Sequence, residues 1–344
     1  MTKRIAINGY GRIGQSVLRA LYESQHRDQL KVVAINELSD IDTIAYLTRY
    51  DTTHGRFPLP VDVSNPKTMT IAGDVISVHR CELIEQLPWS EQNIDLVMEC
   101  TGMFGSRLDA KRHIEAGGQK VLFSQPADTD VDRTVVFGVN HADLTPADKI
   151  VSSASCTTNA IVPVIKALHE AFRIEYGTLT TIHSVMNDQP TIDAYHHHDL
   201  RRTRSAMHNM VPVDTALAKG IERLLPEMRG RFSAVAMRVP TINVSAIDLT
   251  LSVETATDID TVNQLLKTTA QAQFSRVLAY TEQPLASCDF NHDPHSGIVD
   301  GSQTRVSGKN LIKVLVWFDN EWAFANRMLD IAAHWLSLSD TQKN

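Results

Sequence analysis

The sequence predicts an α/β protein in which a domain with a parallel sheet precedes an α+β domain with a mainly antiparallel sheet. Up to about residue 150, short apolar runs alternate with helical or polar stretches, which is typical of parallel strands covered on both faces. A glycine-rich run separates the first apolar run from the first helical pattern. Beyond that point apolar and polar residues alternate, which favours antiparallel strands with one solvated face.

The first domain takes its strands from apolar runs. These predicted strands cover residues 4–8, 30–35, 95–99, 120–123 and 134–137. Helical spacing directly after the first strand predicts a helix, with apolar positions at Ile13, Val17, Leu18 and Leu21. A strand, a glycine turn, a helix and a second strand together predict a Rossmann-like start.

The second domain begins near residue 155. Its clearest strand lies within residues 247–254, where the apolar residues fall on alternate positions, at Ile247, Leu249, Leu251 and Val253. Residues 232–239 and 311–318 are expected to form companion strands. We expect two domains because 344 residues exceed the usual size of one.

Composition excludes several functional classes. The chain has 33 Lys+Arg against 40 Asp+Glu, a net charge of −7, so no general attraction to nucleic acid or an anionic membrane is expected. No apolar stretch approaches the length of a membrane-spanning helix or of a signal-peptide core, and we expect a soluble, cytoplasmic protein. The 4 cysteines form no C-x-x-C pair, so free thiols and no metal site are expected.

The run Gly9-x-Gly11-x-x-Gly14 lies between a predicted strand and a predicted helix, as a dinucleotide site requires. The glycines would permit a tight turn, close approach of a pyrophosphate and helix–strand packing. Glu37, at the end of the second strand, would accept hydrogen bonds from ribose hydroxyls and repel a 2′-phosphate. The sequence therefore favours NAD over NADP, against the alternative of a glycine turn with an incidental Glu.

Cys156 is the thiol with a distinctive setting. It lies among hydroxyl and amide residues just before a helical pattern, where a helix N-terminus would stabilise its thiolate. Pro163 either kinks that helix or marks its first turn. An inert buried thiol remains the alternative.

A thiolate nucleophile also needs a base. His183 ends an apolar run and would suit that role, but the sequence pattern alone does not select it among 14 histidines. For His196-His197-His198, a solvated loop is favoured over a metal site.

Longer motifs then carry a resemblance to a known family. They are INGYGRIG, SASCTTN, TTIHS, DLRRTR, MRVPTINVSAIDL and WFDNEW. The chain resembles the glyceraldehyde-3-phosphate dehydrogenase family over essentially its whole length. That resemblance implies an NAD-binding domain at residues 1–155, completed by 320–344, and a catalytic domain at 156–319. It also implies a homotetramer, with residues from about 185 to 208 packing against neighbouring subunits.

The resemblance assigns roles position by position. Cys156 would be the nucleophile and His183 its base. Contacts to NAD are implied at Asn8, Gly9, Gly11, Arg12, Ile13, Gly14, Glu37, Thr101, Ser124 and Asn320. Contacts to a small phosphorylated aldehyde are implied at Ser155, Cys156, Thr157, Arg202, Thr215 and Arg238.

Departures from the family pattern point to one branch. Met186 stands where a phosphate-binding Thr is common, Ala160 replaces the second Cys, and Ala216 replaces a Gly. With the segments MNDQ, FNHDPHS and VDGSQTRVSG, these resemble the erythrose-4-phosphate dehydrogenases, which serve pyridoxal 5′-phosphate biosynthesis and hydrolyse a Cys thioester. Glyceraldehyde-3-phosphate dehydrogenase activity and a non-catalytic NAD- or redox-sensing role are the alternatives. Whether water is the strict acyl acceptor stays open, as do the activity on triose phosphate and the redox state of Cys156.

Overall fold

The computed structural model describes residues 2–196 and 199–338. The chain divides into two compact units, one formed by Met1–Ser155 with Phe324–Asn344 and the other by Cys156–Ala323. The predicted fold class is confirmed, because the sheet of the first unit is mostly parallel and that of the second is mostly antiparallel. The catalytic role assigned to the second domain stays a prediction.

The helices and strands of the described residues have the following bounds. The α-helices are α1 Arg12–Glu23, α2 Ile41–Arg49, α3 Arg107–Glu115, α4 Cys156–Phe172, α5 Leu217–Leu224, α6 Ile259–Gln271 and α7 Trp322–Leu338. The strands of the first unit are β1 Lys3–Asn8, β2 Leu30–Asn36, β3 Tyr50–Asp51, β4 Gly55–Arg56, β5 Val61–Asn65, β6 Thr68–Ile71, β7 Asp74–His79, β8 Leu96–Glu99, β9 Val121–Phe123, β10 Arg133–Thr134 and β11 Ile150–Ser152. Those of the second unit are β12 Ile174–His183, β13 Val211–Val213, β14 Phe232–Arg238, β15 Ser245–Val253, β16 Leu278–Thr281, β17 Gly297–Ser307 and β18 Leu311–Phe318.

The main sheet of the first unit runs in the order β10-β11-β9-β8-β1-β2-β7-β6-β5. Its strands are parallel from β10 to β7, and β6 and β5 extend it antiparallel. Both faces are covered, so successive residues of β1 such as Ala6 and Ile7 are equally inaccessible to solvent. β1 lies between β2 and β8, and such a switch in strand order is where α/β sheets bind ligands, outside the carboxyl ends of the strands.

The sheet of the second unit runs in the order β13-β14-β12-β15-β18-β17-β16, with α4, α5 and α6 packed against it. The alternation predicted for β15 is confirmed, because Ile247, Leu249 and Leu251 are fully buried while the residues between them are partly exposed. The other positions of these strands include the exposed apolar side chains of Tyr176, Ile182, Val235 and Leu311. This unit therefore has one covered and one largely uncovered sheet face.

The strand predicted at residues 134–137 is wrong in extent, because β10 ends at Thr134. The side chain of Asn140 closes a turn there. Its Oδ1 accepts the N–H of Val136 at 2.8 Å, and its Nδ2 donates to the carbonyl of Thr134 at 2.9 Å. Val135 and Val136 are still fully buried, so the apolar run reflects burial in a turn.

Candidate functional site

The glycine loop after β1 has the conformation that the sequence motif requires. Gly9 has a φ of +87°, and a Cβ there would lie 2.6 Å from the backbone nitrogen of Thr101. A Cβ on Gly14 would lie 2.3 Å from the carbonyl oxygen of Gly9, whereas one on Gly11 would meet nothing within 4 Å. No side chain caps the N-terminus of α1, and its first turn holds no acidic residue. The loop and the helix end therefore fit a pyrophosphate.

The residues predicted to contact a dinucleotide gather at the carboxyl ends of adjacent strands. Asn8 ends β1, Glu37 follows β2, Thr101 lies just beyond β8, and Ser124 follows β9. Those four strands are neighbours, in the order β9-β8-β1-β2. The remaining predicted residues of the first unit lie in the glycine loop and the first turn of α1, namely Gly9, Gly11, Arg12, Ile13 and Gly14. Asn320 belongs to the second unit.

The side chains of Glu37 and Arg12 both hold protein partners. Glu37 accepts the N–H of Tyr10 at 2.9 Å and that of Leu38 at 2.7 Å, which fixes its carboxylate beside the glycine loop. Arg12 forms a two-pronged ion pair with Asp51, with one N···O distance of 3.1 Å. Burial opposes ionisation of Asp51, but the bonds from Arg12 and from backbone N–H groups lower its pKa to about 2. Arg12 is therefore placed to contact a ligand through its main chain more readily than through its guanidinium.

A buried polar network underlies the loop, and sequence reasoning did not find it. The carboxylate of Glu99 accepts the Asn8 amide at 2.6 Å and the Thr101 N–H at 2.8 Å, and the Thr101 hydroxyl also contacts it. Asn36 donates to Asn8 Oδ1 at 2.8 Å. Asn8 and Thr101 are predicted residues, whereas Glu99 and Asn36 are not, and the network explains how Asn8 and Thr101 are held in place.

His113 and Trp89 extend this network on the other side of Glu99. Trp89 donates its indole N–H to His113 Nδ1 at 3.1 Å, and His113 Nε2 lies 3.0 Å from Glu99 Oε2. An indole nitrogen only donates, so Nδ1 is the acceptor and Nε2 carries the proton toward Glu99. All of these side chains are buried, so Glu99 is a buried carboxylate satisfied on every side.

In the second unit, α4 begins at Cys156 and continues through Pro163, so Cys156 lies at a helix N-terminus. Its Sγ lies 4.0 Å from His183 Nε2 and 3.9 Å from the Thr157 hydroxyl. His183 ends β12, and its Nδ1 is 2.8 Å from the carbonyl of Ser184. A carbonyl only accepts, so Nδ1 holds the proton and Nε2 faces the thiol with a free lone pair.

The electrostatics of this pair differ from the sequence expectation of a stabilised thiolate. Burial raises the pKa of the Cys156 thiol, and the nearby carboxylate of Asp319 adds to the rise, while bonds from Thr157 and two backbone N–H groups act in the opposite direction. Burial lowers the pKa of His183, and the positive charge of Arg238 lowers it further. At neutral pH the pair is therefore a thiol facing a neutral imidazole.

Arg238 lies beside His183, because β12 and β14 pair in parallel with these two residues in register. Its side chain is buried and forms a fork to Asp188, with N···O distances of 2.6 and 3.0 Å. Arg202 reaches the same carboxylate at 3.1 Å. Asp188 thus joins both predicted phosphate-binding arginines, and sequence reasoning assigned it no role although it lies five residues after His183. Met186 completes this cluster, because its sulfur lies 3.5 Å from Arg238.

The other predicted substrate residues are less closely joined to this cluster. Thr157 contacts the thiol, as described above, and Ser155 directly precedes α4. The Thr215 hydroxyl accepts the N–H of Leu217 at 3.2 Å at the start of α5. Thr215 therefore helps to begin a helix, and none of the hydrogen bonds given for the described chain links it to the arginines.

Asn320 occupies a buried polar corner of the second unit. Its Oδ1 accepts the hydroxyls of Ser184 and Ser245, both at 2.9 Å. These two serines are also residues that sequence reasoning missed.

Within the described ranges, no group of three or more His, Cys, Asp or Glu side chains is arranged to hold a metal ion. No helix of those ranges is long and apolar enough to cross a membrane. Of the histidine run, His196 accepts the N–H of Asp199, and His197 and His198 lie outside the described residues.

Comparison with protein families matches both parts of the chain. Residues 3–107 match the family model described as the glyceraldehyde 3-phosphate dehydrogenase NAD binding domain. Residues 155–320 match the model of the C-terminal domain of the same family. The first unit therefore contains an NAD-binding domain, which confirms the cofactor predicted from the glycine loop and Glu37.

Proposed function

Because the chain belongs to the glyceraldehyde-3-phosphate dehydrogenase family, we propose that it oxidises a phosphorylated aldehyde with NAD and that this aldehyde is D-erythrose 4-phosphate. The product is 4-phosphoerythronate, made for pyridoxal 5′-phosphate biosynthesis. The observation that carries the catalytic proposal is the contact between Cys156 Sγ and the unprotonated Nε2 of His183, 4.0 Å apart. The adjoining arginine cluster supports a phosphorylated substrate.

His183 starts the reaction by accepting the thiol proton at Nε2, so that Cys156 Sγ attacks the aldehyde carbon. The resulting thiohemiacetal oxygen is stabilised by the protonated His183 and by backbone N–H groups at the start of α4. NAD held at the glycine loop and Glu37 would supply the acceptor for the hydride that leaves this carbon. Cys156 then carries a thioester, and His183 releases its first proton to solvent. The neutral imidazole next removes a proton from the water that attacks the thioester and returns it to the leaving sulfur, which regenerates the thiol.

The phosphate is held by Arg238 and Arg202 in this proposal. Two guanidinium forks suit a dianion, because each supplies parallel N–H donors. Met186 cannot supply the hydroxyl donor that a Thr would offer at its position. A four-carbon aldehyde places its phosphate farther from the reacting carbon than a three-carbon one, which is compatible with the lack of a hydroxyl donor at residue 186.

We also propose a homotetramer in the cytoplasm. Several apolar side chains of the segment around residues 185–208 are highly exposed, with Ile192 at 76% and Leu200 at 85% of full exposure. Burial of such side chains against another subunit would be favourable, at about 25 cal/mol per Å². Cys81, Cys100, Cys156 and Cys288 are all free thiols, as is usual in a reducing compartment.

The test compares kcat/KM for erythrose 4-phosphate and glyceraldehyde 3-phosphate, each with and without inorganic phosphate. We expect a preference for the four-carbon substrate and no need for phosphate. A tenfold preference for the triose together with a phosphate requirement would instead identify a glyceraldehyde-3-phosphate dehydrogenase. Cys156→Ser should abolish turnover while NAD still binds, and turnover that survives this change would contradict the thiol mechanism.

A further inference from the structure

The segment FNHDPHS, which begins at Phe290, has no part in the proposed reaction. Two of its aromatic rings nevertheless pack against the chain on either side of the turn that joins β18 to α7. The Phe290 ring stacks on Trp317, with centroids 5.4 Å apart and an angle of 15° between the planes. The His292 ring stacks on Trp322, with centroids 3.6 Å apart and an angle of 21°. All four residues belong to the second unit.

The backbone of His292 is strained, since its φ is +68°. A glycine would adopt this φ freely, whereas a residue with a Cβ does so at a cost. Val244, directly before β15, has a φ of +63° and lies with Phe290 in one buried apolar cluster. Strain of this kind persists where the surrounding contacts over-determine it, and it is concentrated at functional sites. The side chain at residue 292 is therefore expected to have a task that a glycine could not perform.

His292 holds the turn between β18 and α7 in two ways. Its backbone N–H donates to Asp319 Oδ2 at 2.8 Å, and its ring covers Trp322. The other carboxylate oxygen of Asp319 accepts the N–H groups of Glu321 and Trp322, at 3.0 and 2.8 Å. Asp319 and Trp322 are both buried. The turn is therefore fixed through its main chain by Asp319 and through an aromatic contact by His292.

This turn reaches His183 by two routes. Phe318, the last residue of β18, lies edge-on to the His183 ring, with centroids 6.2 Å apart. Asn320 Oδ1 accepts the Ser184 hydroxyl at 2.9 Å, and the Ser184 carbonyl in turn accepts the His183 Nδ1 proton at 2.8 Å. Displacement of the turn would therefore change the distance and direction between His183 Nε2 and Cys156 Sγ, which are 4.0 Å apart.

On the basis of the proposed function, we infer that His292 is a positioning residue for the base of the reaction. Its ring on Trp322 and its N–H on Asp319 hold the turn, and the turn holds the His183 imidazole in the direction of Cys156. This role needs a flat aromatic ring at residue 292 and does not need that ring to carry a proton. It follows that phenylalanine can replace the histidine and that glycine and asparagine cannot.

Alkylation of Cys156 by iodoacetamide in the full chain, at neutral pH and without aldehyde, tests this inference. Mass spectrometry of the Cys156 peptide gives the rate constant, and half-buried Cys81 of the first unit is the internal reference. His292→Gly keeps the N–H that binds Asp319 and removes the ring. We expect it to slow alkylation of Cys156 about 3- to 10-fold, a small part of what a general base usually contributes. His183→Gln should slow it further, and in that background His292→Gly should have no additional effect.

Three control variants separate the ring from the backbone. His292→Phe keeps a ring for Trp322 and should alkylate at the wild-type rate, whereas His292→Asn accepts a positive φ without an aromatic ring and should behave like His292→Gly. Lys309→Gly is the matched control for backbone strain, because Lys309 has a φ of +71° in the turn between β17 and β18, and it should leave the rate unchanged. Thermal unfolding shows whether each variant is folded, and if His292→Gly unfolds, His292→Asn decides by the same criteria.

Wild-type alkylation of Cys156 in His292→Gly and His292→Asn would overturn the inference, as would an equal slowing by His292→Gly in the His183→Gln background. A slowing that His292→Phe does not restore, or that Cys81 shares, would overturn it too. The aldehyde takes no part in the alkylation, so a wrong substrate assignment leaves the outcome unaffected. Conversely, a protein that shows the expected cycle but oxidises no phosphorylated aldehyde would refute only the proposed function.

Discussion

The glycines of the loop after β1 allow one prediction to be worked out from distances, because each would meet a different obstacle as alanine. Gly9 has a positive φ of +87° and lies against the backbone of Thr101, 2.6 Å from where a Cβ would sit. Gly73 has nearly the same φ, +86°, but nothing within 4 Å. Gly73→Ala therefore measures the cost of the backbone conformation alone, and Gly9→Ala measures that cost plus the clash.

The expected magnitudes follow from these two terms. A left-handed conformation costs an L-residue about 1–2 kcal/mol, so Gly73→Ala should lower the free energy of unfolding by that amount. The atoms that a Cβ on Gly9 would meet are main-chain atoms of Cys100 and Thr101, which cannot rotate away. Overpacking adds about 1–3 kcal/mol, so Gly9→Ala should cost about 2–5 kcal/mol. Denaturant unfolding of the cofactor-free protein measures both.

Gly11 separates ligand approach from folding. A Cβ there would project into open space beside the uncapped N-terminus of α1, so Gly11→Ala should change stability by less than about 1 kcal/mol. The same methyl group would stand where a pyrophosphate must approach the helix, and we expect the Kd of NAD to rise at least about tenfold. Equal destabilisation by Gly9→Ala and Gly73→Ala, or normal NAD binding by Gly11→Ala, would refute this reasoning.

Three further outcomes are expected. Asp188→Asn should strengthen inhibition by inorganic phosphate about 5- to 30-fold in steady-state kinetics, because removal of a carboxylate close to the arginine cluster changes anion affinity by roughly 1–2 kcal/mol. Asp193→Asn, which removes an exposed carboxylate paired with Arg204, is the control. Unchanged phosphate inhibition of Asp188→Asn would contradict this role of Asp188. Burial lowers the pKa of His183 in the folded protein, so as the pH falls this side chain becomes protonated first in the unfolded chain. The free energy of unfolding, measured with urea, should therefore decline from about pH 7 toward pH 5, and less steeply in His183→Gln. An equal decline in both proteins would show that other groups are responsible. Glu99→Gln leaves at least one buried donor without an acceptor and should cost about 1–3 kcal/mol in thermal unfolding, and an unchanged midpoint would contradict the network.

The sequence predicts elements well where the pattern along the chain and the packing of the fold coincide. The strand predicted at residues 311–318 is β18 residue for residue, because its alternation reflects one covered and one open face. The failure at Thr134 has a different cause. There a single side chain, that of Asn140, takes over the hydrogen bonds of the backbone, and the apolar run continues as a buried turn.

The same distinction separates the site residues that the sequence predicts from those that it misses. The glycine loop can be predicted from the sequence because the positive φ of Gly9 and the close backbone contacts of Gly9 and Gly14 act within one short motif. Ser184, in contrast, meets Ser245 and Asn320 across separations of 61 and 136 residues. Serine is common at many positions, and nothing local distinguishes one whose hydroxyl orients a distant amide.

The Cys156–His183 pair shows how the charge state that the sequence favours can differ from the one that burial favours. A helix N-terminus and nearby hydroxyls are visible in the sequence, and they favour a thiolate. Burial and the charge of Asp319 act in the opposite direction on the Cys156 pKa, and both depend on the folded chain. Since burial also keeps His183 neutral, the proton must move from sulfur to nitrogen as the substrate is attacked. In the proposed reaction the Cys156 thiol therefore needs His183 Nε2 to take its proton before the sulfur can act as a nucleophile.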